Sequence, residues 1–162
     1  LAVGPTDWVL SNGIIHGGGG IVSACSASEN GAVGIAASTA TVVTDCAAVA
    51  NVSHGITAVS DSVVTNNLAS ANGTGGDGSG ISVTGNDCRV EGNNSIDNPV
   101  GIRVLASANF IARNVCSGNG LNWEVVANNK CLVVNGVNAG AINGNAGGVS
   151  PGSADPNANY TY

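Results

Sequence analysis

The sequence predicts an all-β chain wound as a single-stranded right-handed parallel β-helix. This β-solenoid has about six to seven coils of ~21 residues, followed by a non-repetitive C-terminal tail. Two columns of polar residues predict it. Asn30, Asn51, Asn72, Asn98 and Asn119 are spaced 21, 21, 26 and 21 residues apart. Cys25, Cys46, Asn67, Asn93 and Asn114 repeat those spacings, and Asn135 follows 21 later. A second observation is that aliphatic residues keep the same register. Val22, Val43, Val64, Val90, Ile111 and Leu132 form one column; Ile35, Ile56, Ile81, Ile102 and Trp123 form another, each followed two residues on by Ala37, Ala58, Val83, Val104 or Val125. Alternation with period two marks strands. The third is composition: 25 glycines and 43% hydrophobic residues with only 3% aromatics imply a core of small aliphatic side chains. Parallel crossovers set the expected hand.

Taken in chain order, residues 1–12 read as an N-terminal lead-in or cap that contains Trp8. Residues 13–138 read as the β-helix. Its one long spacing falls in GTGGDGSG at 73–80, so a corner loop is expected to protrude there. Residues 139–162 lose the period, carry two prolines and read as a C-terminal cap or arm. Trp8, Trp123, Tyr160 and Tyr162 lie towards the ends of the chain, where strand edges need covering. At ~4.8 Å per coil the rod spans roughly 30 Å.

A buried asparagine is costly unless its amide is satisfied. With coils stacked ~4.8 Å apart, each amide reaches the one in the next coil, and a column of them pairs with itself. The asparagine columns therefore read as structural. Gly31, Gly73 and Gly120 follow Asn30, Asn72 and Asn119, and these Asn-Gly pairs suit a left-handed turn. Cys25 and Cys46 share a column on adjacent coils and are expected as buried free thiols. The five cysteines contain no C-x-x-C pair, which disfavours zinc ribbons and thioredoxin chemistry.

The stretches VVTNNLASAN, GISV, VEGNNSIDN, GIRV and IARNVCSGN resemble the right-handed parallel β-helix repeat proteins of the pectate-lyase-like superfamily, over about residues 13–138. The resemblance implies the fold and an extracellular or cell-surface setting. Its activities range from polysaccharide lyases and hydrolases to proteins without chemistry.

Candidate sites are few. A net charge of −6, with four Lys and Arg in all, argues against nucleic acid and other polyanions, and no apolar run is long enough to insert in a membrane. Asp61 and Asp87 share a column on neighbouring coils and are the best candidate metal pair. Two carboxylates fall short of the six to eight oxygens calcium takes, so no cofactor is expected beyond a possible calcium ion. GGDGSGISV resembles a calcium-binding nonapeptide, but Gly80 stands where the ligand aspartate belongs, and a plain flexible loop is expected. Arg103 and Glu124 should form a surface ion pair. Arg89, Glu91 and Arg113 should form a mixed-charge patch. His16 and His54 read as turn residues. Of the glycosylation sequons at Asn51, Asn72, Asn93 and Asn159, only Asn159 lies outside the columns, and it is the expected acceptor.

The favoured functional reading is a secreted, non-catalytic scaffold with a structural, adhesive or self-assembling role. Its partner is itself, through an outward stripe of Ile21, Val42, Val63, Phe110 and Cys131 interrupted by Arg89. The alternative is a carbohydrate-binding or lyase-like β-helix whose partner is a polysaccharide. Ice binding on Ser23, Thr44 and Thr65 is a third reading, weakened where the column turns to Glu91 and Ala112.

Overall fold

The computed structural model describes residues 11–135, 143–144 and 156–162. Trp8 and much of the expected lead-in and tail lie outside them. Among the described residues there is no helix. The chain winds through three parallel sheets as a right-handed solenoid, and the six strands of the second sheet mark about six turns. Sheet A runs from Ile14–His16 through Ile35–Ala37, Ile56–Ala58, Ser79–Val83, Val100–Val104 and Leu121–Val125 to Asn143–Gly144. Sheet B stacks Ile21–Ser23, Val42–Thr44, Val63–Thr65, Arg89–Glu91, Phe110–Ala112 and Lys130–Cys131. Sheet C stacks Ser26–Ser28, Ala47–Val49, Leu68–Ser70, Asn94–Ile96 and Val115–Ser117, then Asn159–Thr161, then Val133–Asn135.

The three inner faces meet in a narrow core filled, up to its last coils, by small or branched side chains. Ile35, Ile56, Ile81 and Ile102 from sheet A, Val43, Val64 and Val90 from sheet B, and Ala48 and Ala69 from sheet C are all fully buried. Each Ile or Val contributes about 1.5–3 kcal/mol by leaving water. Trp123 is not an end cover. It is fully buried and continues the isoleucine column beyond Ile102. The valine column ends differently from its sequence period: Ile111 pairs with Cys131, not Leu132, because the last coil is one residue short.

All three corners of the coil use left-handed residues. The corner between sheets B and C carries Ala24, Asp45, Asn66, Gly92 and Arg113 at φ between 52° and 66°. The corner between A and B carries Gly19, Ala40, Asp61, Asp87, Ala108 and Asn128, and the corner after C carries Glu29, Ala50, Ala71, Asp97 and Gly118. The left-handed residue thus precedes the asparagine. Of the three Asn-Gly glycines, only Gly73 has positive φ. Most corner amides donate to a carbonyl in the next coil, as Ala50 N does to Ser70 O at 3.0 Å, which offsets the local strain. Glycine is needed just before the sheet A isoleucines for a different reason. A Cβ on Gly55 would lie 2.6 Å from both Asn72 Nδ2 and Gly80 O.

The ladder itself is denser than side-chain stacking alone. Asn72 Oδ1 accepts from Asn51 N at 3.2 Å and Asn51 Nδ2 at 2.7 Å, while Asn72 Nδ2 donates to Asn98 Oδ1 at 3.1 Å and Ala48 O at 2.9 Å. Every polar position of that amide is used. The second column repeats the pattern from Asn67 to Asn93 and Asn114 and starts at Cys46 N, which donates to Asn67 Oδ1 at 2.9 Å. Beyond Asn114, however, the next rung is Asn159, not Asn135. Residues Asn159–Thr161 insert between Val115–Ser117 and Val133–Asn135, so Asn135 lies beside Thr161, two positions past the asparagine column.

Candidate functional site on the outer face of sheet B

Side chains that alternate out of sheet B form a row across successive coils: Ile21, Val42, Val63, Arg89, Phe110 and Lys130. The strands are two or three residues long and pair in direct register, so these side chains stand in line. Ile21 is 67% exposed, and Val42 and Val63 are half-buried. The row is apolar over its first three coils and carries Arg89, Phe110 and Lys130 over its last three. Cys131 leaves the expected stripe for the core, and Lys130 takes its outward place for the same one-residue reason.

The basic half is organised by one carboxylate. Glu91 has a side chain only 8% exposed and pairs with both Arg89 and Arg113, whose own side chains are 55% and 54% exposed. The guanidinium of Arg89 also lies 5.3 Å over the Phe110 ring, a cation–π contact. Glu91 was expected on the surface. The two arginines cover it, and a nearly buried charge is tolerated because it is doubly paired.

A second polar cluster lies under the corner loop. The loop is tied down: Gly73 N donates to Asn51 O and Gly75 N to Val52 O, each at 2.9 Å. Arg103 Nε donates to Glu124 Oε2 at 2.6 Å, and its Nη2 reaches Asp77 Oδ1 at 3.3 Å across the loop. The ion pair foreseen in sequence therefore has a third member. His54 Nδ1 accepts the Ser79 backbone N–H at 3.0 Å. Burial, and then the Arg103 charge, hold this imidazole below its ordinary pKa, so it stays neutral and serves as a cap. The insertion is split, with an offset of 25 residues at Ile56–Ile81 and 26 at Val64–Val90, so one extra residue sits in the next turn.

The other predicted positions lie at corners, in the core or in the ladder. Asp61 and Asp87 are left-handed corner residues, exposed to solvent. Among the described residues no group of three or more His, Cys, Asp and Glu could hold a metal ion. Cys25 and Cys46 are free thiols that donate to Ser23 O and Thr44 O, each at 3.1 Å; Cys25 is half-buried rather than buried. Burial raises the Cys46 pKa and pushes that of Cys131 up to about 12. Asn159, the expected glycosylation acceptor, is fully buried in the ladder, with Nδ2 donating to Ile111 O and Leu132 O at 2.9 Å, and is closed to modification as folded. His16 sits at a turn, its Nδ1 accepting Gly18 N–H at 3.3 Å.

Sequence reasoning missed a third ladder at the corner that enters sheet B. Thr41 N donates to Ser62 Oγ at 3.2 Å, Cys88 N to Asn109 Oδ1 at 2.8 Å, and Asn109 N to Asn129 Oδ1 at 2.8 Å. Its rungs change residue type from coil to coil, and its last spacing is 20 residues rather than 21. The signal was there only as a column of small polar residues. Among known families, the one described as a right handed beta helix region matches residues 9–116. No curated protein and no solved structure matches the chain.

Proposed function

Because the chain belongs to the right-handed β-helix family, we propose that it is a non-catalytic scaffold, acting outside the cell or at its surface, whose working surface is the outer face of sheet B. The observation that carries this reading is the aligned row Ile21, Val42 and Val63, which sets an apolar strip along three successive coils of one sheet. On the same sheet, Glu91 is committed to two arginines rather than left free for chemistry. Such a face buries its strip by lateral contact with another rod.

Sedimentation velocity over a range of concentrations tests the proposal. The wild-type chain should show reversible association, and the double variant Val42→Lys, Val63→Lys, with both changes on outward positions, should remain monomeric. A wild type that stays monomeric at every concentration would remove the reading.

A further inference from the structure

The two halves of sheet B's outer face are complementary to each other, and this identifies the partner. Three of the four Lys and Arg residues in the chain gather on the last three coils here, Arg89 and Lys130 on the face and Arg113 at its B–C corner, in a molecule with net charge −6. The first three coils of the face carry the apolar row, and their B–C corner carries Asp45, exposed, in the same left-handed column that holds Arg113 three coils later. Asp45 keeps its orientation through Thr44, whose Oγ1 donates to Asp45 Oδ2 at 2.9 Å.

We propose that the partner is a second copy of this chain, docked face to face and antiparallel through sheet B, with Arg113 of each copy opposite Asp45 of the other. This rests on the scaffold reading above and adds to it the identity and orientation of the partner. A two-fold axis parallel to the strands, passing between the coils of Val63 and Arg89, brings the same corners together and reverses the coil order. Val42 then meets the surface formed by Phe110 and the Arg89 guanidinium stacked on it, Val63 meets the stem of Arg89, and Ile21 meets the stem of Lys130, whose charged head reaches solvent. Each contact occurs twice. Parallel rods would set the B–C corner against the A–B corner, which has no basic residue at its left-handed positions. The opposite edge carries Asp61 and Asp87 in both copies, which offsets part of the gain and makes a weak, reversible dimer the expected state.

Charge exchange tests this directly. Arg113→Asp and Asp45→Arg each place a side chain at a corner whose φ, 56° or 55°, the other corner already imposes on that residue type; Arg113→Asp also takes from Glu91 one of its two partners and leaves it Arg89, so far-UV circular dichroism and thermal melts establish that each variant is folded before association is read. Each variant alone should dimerise at least tenfold more weakly than the wild type. An equimolar mixture of the two should recover wild-type association as a species of two chains, because only the mixed pair restores both contacts. Lys130→Glu supplies an independent reading from the outer coil and should also weaken association. If the wild type associates and the mixture shows no recovery, this pairing is wrong while the scaffold reading stands. If the wild type does not associate, both fall; growth of the mixture beyond two chains would replace the two-fold arrangement with a head-to-tail one.

Discussion

The middle of the solenoid and its C-terminal end are built by different rules. From Asn51 to Asn119 each rung of the ladder is supplied by the chain one winding later, 21 or 26 residues on. Past Asn114 the rung comes from Asn159, 45 residues away, which enters between two strands already laid down. The geometry of the rung is nevertheless the same. Asn159 Oδ1 accepts from Asn114 N at 3.0 Å and Asn114 Nδ2 at 2.8 Å, as Asn72 does from Asn51. A ladder needs an amide at the right height; it does not need that amide to be the next in sequence.

The largest expected effect separates the two regions. Asn72→Ala leaves the Asn51 donors and the Asn98 acceptor without their partner in a dry corner that no neighbouring segment can vacate, and should lower unfolding free energy by about 3 kcal/mol in urea titrations. Asn159→Ala deletes an equivalent set of bonds, but its strand can detach without opening the coils before it. The expected cost is about 1–2 kcal/mol, with hydrogen exchange rising at the amides of Asn114 and Tyr160 and not at those of Asn51 or Asn72. Equal losses for the two variants would mean that the inserted strand and the central coils unfold as one unit.

The smallest effect sharpens a comparison between caps. Asn12 Oδ1 accepts the Val33 N–H at 3.0 Å, and His54 Nδ1 does the same for Ser79 at 3.0 Å. Only the second titrates. The pKa of His54 is depressed in the fold below its ordinary 6.5, so below that pH the unfolded chain takes up a proton that the native chain refuses. Its contribution is therefore full above about pH 6.5 and declines as the pH falls towards the folded value. Urea midpoints measured from pH 8 to pH 5 should show this decline in the wild type, and His54→Asn should lessen it. An unchanged pH profile in the variant would assign the decline to other groups.

The legible part of the molecule was the part that repeats. Inward and outward positions in sheets A and B were readable wherever one coil copies the next, and the self-pairing of the asparagines followed from the height of a coil and the cost of a buried amide. What escaped was registered against no repeat. One missing residue between Phe110 and Lys130 exchanged Cys131 for Leu132 in the core, and the two are equally credible there by chemistry. The spacing stacks Asp61 and Asp87 on neighbouring coils; what the sequence did not show is that their shared column is a corner with φ near 60° that takes Asp, Ala, Asn or Gly alike. Glu91, Arg89 and Arg113 were visible as neighbours, but not the burial of the carboxylate between them.

By itself the sequence determined the winding, the composition of the core and the two continuous ladders, because each follows from a spacing that every coil must satisfy at the same height. Only the tertiary structure decided that Asn159 and not Asn135 carries the ladder on, and that Lys130 and not Cys131 ends the outward row. Both depend on which distant segment fills an unpaired edge or corner. That choice is settled by hydrogen bonds closed in space, for which no period along the chain exists.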